Sequence, residues 1–273
     1  MAMSSDKPIL WGAAAAVVAG ATALYLYAHR GHPPPAPASA PEVQTTPPVA
    51  PPLPAGAPPI EHPAPVASAP GGPPAPALDQ SDRPFQDGLA ALPGAPGLAK
   101  LLAPENIIRH VVVTVDNLSK KKVAVDQRPF KPTGGQFMTL ANGDQLIINP
   151  ENYKRYQPFI EVVQAADPQK VVALYYRFYP LFQAAFDDLG YQSAYFNDHV
   201  IALIDHLLAT PDVSGPVALV QPNVMYRYAD PALEALSPGQ KTLIRMGPAN
   251  EALLKARLRD LKTQLLAQQR PHK

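Results

Sequence analysis

Residues Pro104 to Leu118 run PENIIRHVVVTVDNL, and they allow two readings that lead to different folds. The β-branched run Val111-Val112-Val113-Thr114-Val115 suits a pleated, half-buried strand. The spacing of Ile107, Ile108, Val111, Val115 and Leu118 instead follows the i, i+4, i+8 rhythm of one helix face. Pro104-Glu105 fits a first helical turn, where proline's missing N–H would be unpaired anyway. The periodicity favours a helix opened by Pro104-Glu105, and the strand stays as the alternative.

Working outward, QFMTLANGDQLIIN places two short apolar runs on either side of Asn142-Gly143, a pair that tolerates positive φ in a type I′ turn. A hairpin is expected over residues 136–148. A capping side chain then precedes proline four times, at Asn149-Pro150, Asp167-Pro168, Asp230-Pro231 and Ser237-Pro238, and each pair should start a helix. Helices are expected near 150–166, 168–189, 194–209, 231–236, 238–246 and 249–268, with short extended pieces at 136–148 and 217–228. Tyr175, Phe178, Tyr179 and Phe182 form a core stripe, with Pro180 kinking its helix. Leu254, Leu258, Leu261 and Leu265 form another, expected to pack on its own domain rather than in a partner coiled coil.

Upstream the composition changes. From Ile9 to Ala28 no charge interrupts ILWGAAAAVVAGATALYLYA, and at about 1.5 Å per residue this matches a roughly 30 Å hydrocarbon layer. Trp11, Tyr25 and Tyr27 sit at headgroup levels, so a retained transmembrane anchor is read after a short tail at 1–8. A cleaved signal peptide ending near Ala21-Thr22-Ala23 is the alternative. Gly12, Ala16 and Gly20 fall on one stripe that would allow weak self-association of two such helices. Residues 33–77 hold 18 of the chain's 36 prolines and no Lys or Arg, which describes a disordered, extended Pro/Ala-rich linker. At about 3.1 Å per residue it would reach up to roughly 140 Å. Nothing in it holds the chain in the cytoplasm, so the expected location is the inner membrane, single-pass, with the C-terminal domain periplasmic. The globular domain is then 81–268, and the expected fold is mostly α with a minor β-hairpin.

The segments LLAPENIIRHVVVTVDNL, VVALYYRFYPLFQAAFDDLGY, YFNDHVIALIDHLLATP, VALVQPNVMYRYADPALEALSPGQK and LIRMGPAN together resemble the proteobacterial domain-of-unknown-function family numbered 3014, over roughly Ser81 to Leu266. The resemblance implies a Gram-negative envelope protein with an anchor and a Pro-rich spacer. It implies no activity and transfers no catalytic residue.

Zero cysteines exclude disulfides, thiol nucleophiles and Cys-based zinc sites, and a net charge of +1 advertises no nucleic-acid partner. The conspicuous polar pattern is Asp198-His199 repeated as Asp205-His206. On a helical wheel Val200, Ile201, Ile204, Leu207 and Leu208 share one arc, and the two aspartates lie opposite with the histidines flanking them. Seven residues separate like partners by about 10 Å, too far for one ion, and neither aspartate has a histidine three or four residues away. The face is therefore read as solvated or structurally paired, with Asp205 expected to meet Arg109, Arg177, Arg227 or Arg245. Arg177 is itself a candidate anion binder, read in preference as a partner of a buried carboxylate. Lys120–Lys122 read as a solvated turn at a helix end, and Thr133–Gly135 lack the GK[ST] of a phosphate loop. Tyr226, Arg227 and Tyr228, between two prolines, suggest a semi-rigid loop suited to peptides or glycans, or else a buried structural segment. No catalytic, cofactor or metal residue is assigned. The expected role is binding or scaffolding of an envelope protein or cell-wall component, and the alternative is an envelope hydrolase pairing Asp198 or Asp205 with a distant Glu.

Overall fold

The computed structural model describes residues 59–65, 76–92, 105–120 and 135–268. The expected anchor at 9–28, most of the linker, and Lys121, Lys122, Thr133 and Gly134 lie outside the described residues. Among the described residues no helix is long and apolar enough to cross a membrane.

After a 3₁₀ turn at Leu78–Gln80, helix α1 spans Asp82–Ala90 and helix α2 spans Ile107–Leu118, which settles the opening question in favour of helix. Its β-branched residues are tolerated because α2 is buried on nearly every side, Val111, Val112, Val113 and Val115 included. Tertiary packing therefore overrides a modest propensity deficit. The helix does not start as expected. Asn106 adopts the left-handed conformation at φ 53°, and the first free N–H groups are met from another helix. The carboxylate of Asp82 accepts from the N–H of Asn106 at 2.7 Å and of Ile107 at 2.8 Å.

Strands β1 (Thr139–Asn142) and β2 (Gln145–Ile148) form the expected hairpin, with Leu140 opposite Ile147. Its turn is shifted by one residue, because Asn142 pairs with Gln145 and leaves Gly143-Asp144 as the loop. Gly143 has φ 59° at the first loop position, where a type II′ connection requires it. A 3₁₀ helix at Pro150–Tyr156 leads into α3 (Gln157–Ala165), followed by α4 (Pro168–Asp188) and α5 (Phe196–Leu208). Then come β3 (Ala218–Val220), β4 (Arg227–Tyr228), α6 (Pro231–Glu234), α7 (Pro238–Met246) and α8 (Pro248–Gln268). Asn149, Asp167, Asp230 and Ser237 each accept a backbone N–H at the start of their helix, and Ser237 with Gln240 completes a capping box. Pro180 lies inside α4, which continues through it.

The molecule is mostly helical, but the extended pieces make more than a hairpin. β1-β2-β3-β4 form an antiparallel four-stranded sheet in sequence order. The main core joins α1 to α5, α7 and α8, and includes Phe178, Phe182, Leu254 and Leu258. The leucine stripe of α8 thus packs on its own domain. A second, smaller core under the sheet comprises Ile148, Val217, Leu219, Tyr228 and Ile244. Helix α7 faces both, with Leu243 and Met246 in the first and Ile244 in the second. Helix α8 carries a buried ion pair four residues apart. The Lys255 and Glu251 side chains are only 5% and 4% exposed and 2.8 Å apart. Lys255 Nζ also donates to Thr210 O and Asp212 Oδ1, both at 2.6 Å.

The linker expectation needs a correction. Residues 59–65 lie within the stretch read as disordered, yet they run against the first turn of α5, with Ala64 buried at the edge of the main core.

Candidate functional site

The turn from α4 to α5 is held by one side chain. Gln183 Oε1 accepts from Tyr179 Oη–H and from the N–H of Phe196, both at 2.9 Å, while its Nε2 donates to Ala194 O at 3.0 Å and Asp187 Oδ1 at 2.8 Å. This amide supplies the N-terminal cap that Tyr195, at the cap position, does not. Asn197 Oδ1 accepts from Tyr175 Oη–H at 3.2 Å, which leaves its Nδ2, with Tyr195 Oη and the Asp198 carboxylate, to work outward.

They work on a peptide main chain. Asp198 Oδ1 accepts from the N–H of His62 at 2.7 Å and Oδ2 from the N–H of Glu61 at 3.2 Å. Asn197 Nδ2 donates to His62 O at 2.8 Å, and Tyr195 Oη accepts from the N–H of Ala64 at 3.1 Å. A carboxylate on the first turn also sits favourably at the positive end of the α5 dipole. Beside these contacts opens a depression of about 690 Å³ whose wall includes Gln183, Asp187, Tyr191, Asp198 and His199, together with Pro59–Glu61.

His199 joins this wall to a buried acid. Asp116 on α2 is 7% exposed, and its Oδ1 lies 3.7 Å from His199 Nε2. Neither atom has a hydrogen-bond partner. The other oxygen, Oδ2, accepts from Lys120 Nζ at 2.6 Å, and Lys120 also donates to Tyr191 Oη at 2.7 Å. Burial pushes the His199 imidazole below its usual range; Asp116 opposes this and Lys120 adds to it. Burial also lowers Lys120, but its bonds to Asp116 and Tyr191 prevail and hold it above the ordinary lysine range.

The other expected residues are dispersed. Asp205 is not matched by any of the four arginines proposed for it. Both its oxygens accept from Lys262 on α8, at 2.5 and 2.7 Å, and its side chain is 52% exposed. A pair this open is worth under about 1 kcal/mol. The helical wheel could place Asp205 on the polar arc but could not say which helix would pass it. Arg109 meets Asp188 and Asp79 instead, while the guanidinium of exposed Arg177 lies over the Phe178 ring and that of Arg245 over Tyr228. His206 Nε2 is 2.8 Å from Ser237 Oγ and braces the start of α7, its own pKa lowered by burial. Tyr228 is buried in the small core, donates to Lys241 O at 2.9 Å, and burial pushes its phenol up to about 12. Tyr226 packs near Phe137, and only Arg227 of the three is exposed. The Tyr226–Tyr228 stretch is thus structural, its last two residues forming β4, and only Asp198 and His199 of the expected residues meet at the α4–α5 turn.

Sequence reasoning missed Tyr191, Tyr195, Asn197, Asp116 and the 59–65 segment. Two signals were available. Asp116 interrupts an apolar helix with Lys120 four residues on, the spacing of an ion pair. Ile60-Glu61-His62, like Glu42–Thr46 before it, interrupts a stretch built mainly of Pro, Ala, Gly and Ser.

Three partly buried histidines give a pH dependence of definite sign. Burial lowers His199, His206 and His110, the last partly offset by Asp82. Below about pH 6.5 the unfolded chain therefore binds protons that the folded chain resists, so stability falls as pH falls through that window. Glu251, raised by burial against the pull of Lys255, acts in the opposite sense upward from about pH 4.5. The melting temperature should drop between pH 7.5 and 5.5, and His110→Gln/His199→Gln/His206→Gln should flatten that drop while Glu251 stays unchanged. An equally steep profile in the triple variant would reject the assignment.

A family described as Protein of unknown function (DUF3014) matches residues 107–262, from the first residue of α2 to well inside α8. No curated protein and no solved structure matches the chain. The matched span is more than half of the chain and takes in every element that builds the α4–α5 site except the 59–65 segment. The chain belongs to the DUF3014 family.

Proposed function

We propose that this protein is a binding or scaffolding component of the Gram-negative envelope, anchored in the inner membrane through residues 9–28, with its helical domain carried into the periplasm. The observation that supports a binding role is the use made of the first turn of α5. Asp198, Asn197 and Tyr195 are all directed at the main chain of the 59–65 segment, beside an open depression. Main-chain N–H and C=O groups met by rigid side chains are a means of recognition. An envelope hydrolase would need two carboxylates, or a carboxylate and an imidazole, facing a substrate. Of the acids on the depression's wall, Asp198 is bonded to the 59–65 main chain and Asp187 to Gln183, the His199 Nε2 atom is buried against Asp116, and Asp205 is paired with Lys262 outside it, so the binding reading is preferred. Self-association through Gly12, Ala16 and Gly20 would belong to the same arrangement.

Two measurements test this in intact cells. Alkaline phosphatase fused after Lys273 should be active and a fluorescent protein at the same point dark; the reverse would invert the topology. A photo-crosslinking residue at Gln192, which lines the depression, should join the protein to an envelope component, whereas one at exposed Arg177 should not. Equal yields from both positions would remove the depression from the function.

A further inference from the structure

Resting on the binding reading, we infer that the first turn of α5 is an exchangeable site for proline-flanked peptides, and that Pro59–Pro65 is its ligand in cis. The contacts define what the site selects. Three donors, the N–H groups of Glu61, His62 and Ala64, and one acceptor, His62 O, are bonded. Proline is therefore excluded at those three positions. It is accepted at position 63, whose nitrogen makes no bond, and the flanking prolines restrict the backbone before it docks, which reduces the entropy lost on binding. Ile60 and Glu61 have exposed side chains, while Ala64 is buried, so the site reads a main chain plus one small residue. The ligand class is thus two successive non-proline residues, then proline, then a small non-proline residue.

Exchange follows from the energetics. Three of the four bonds are to the partly exposed Tyr195 and Asp198 and the fourth is to the buried Asn197, and a typical net contribution is about 0.5–1.5 kcal/mol, somewhat more where the acceptor is the Asp198 carboxylate. Belonging to the same chain, the cis segment is presented at an effective concentration of order millimolar, so it fills the site by proximity rather than by high intrinsic affinity. A peptide of the same chemistry from another chain can compete once it is concentrated or tethered.

The test uses the full chain in detergent micelles and a fluorescent peptide of residues 57–66, APPIEHPAPV, followed by anisotropy. His62→Pro in the chain removes one cis donor without touching the helical core, and it should strengthen binding of the added peptide tenfold or more. Asp198→Ala in that background should weaken it at least tenfold, as should Tyr195→Phe by a smaller factor, with the melting curve of each variant confirming a folded domain. The same peptide carrying proline in place of His62 should not bind. If the His62→Pro chain takes up the peptide no better than the parent, or if the proline-substituted peptide binds equally well, the inference is wrong. Persistence of the Gln192 crosslink in cells would then leave the binding reading standing with a ligand of another kind.

Discussion

Lys255→Ala should lower the melting temperature by roughly 6–20 °C, among the largest effects of any single substitution in the domain. The Lys255 ammonium is almost fully enclosed and meets Glu251 Oε1, Asp212 Oδ1 and Thr210 O within 2.8 Å. Burial pulls the Lys255 pKa down, but its partners outweigh this and hold it above the ordinary range. Asp212 is solvent-exposed and can find water when the lysine is removed, whereas Glu251 is buried and cannot. Leaving one member of a buried pair uncompensated typically costs about 3–5 kcal/mol, and a domain of this size loses about 2–4 °C per kcal/mol. The double variant Glu251→Gln/Lys255→Met removes both charges and should recover a substantial part of the loss, though Thr210 O still lacks its donor. Thermal melting of the three proteins decides the matter. A Lys255→Ala protein within about 2 °C of the parent would show that the pair contributes little.

Gly247→Ala should cost about 2–6 kcal/mol in urea unfolding, by two mechanisms acting together. Gly247 is the sole residue between the end of α7 at Met246 and the start of α8 at Pro248, and it turns the chain with φ 85° and ψ 158°, a region open essentially to glycine. A Cβ there would also lie 2.6 Å from two ring carbons of Tyr153. Tyr153 closes the other side of the α7–α8 corner, where its carbonyl accepts from Asn250 Nδ2 at 3.2 Å, so the ring has little freedom to withdraw. Removing the ring with Tyr153→Ala should relieve the clash and leave the backbone strain. Gly247→Ala should therefore be less costly in a Tyr153→Ala background than alone. Equal costs in both backgrounds would mean that the ring is not the obstacle.

Much of the helical frame is legible because local chemistry announces it. The four Asx- or Ser-Pro pairs mark helix starts that depend only on neighbouring residues, and the cap side chains bond as expected. What depends on distant residues is less legible. The spacing of Ile107 to Leu118 indicates a helix, but nothing near Asn106 reveals that Asp82 from another helix will cap it. Lys255 looks like an ordinary surface charge beside a leucine stripe, because the acid and carbonyl that enclose it come partly from residues 210–212. The site is hardest to read for the same reason. Its side chains lie on α5, but the main chain they hold is about 135 residues away, in a segment whose composition suggests it would hold nothing.

The division of the apolar interior into two cores gives the molecule two cooperative units. The sheet cluster meets the helical bundle through α7 and through the 3₁₀ helix whose Tyr153 and Tyr156 face one core each, so the strands can open sub-globally while α2, α4, α5 and α8 keep their mutual packing. Backbone amides of β2 and β3 would then exchange with solvent deuterium through an opening far less costly than global unfolding, whereas those of α2 would wait for the whole domain to come apart.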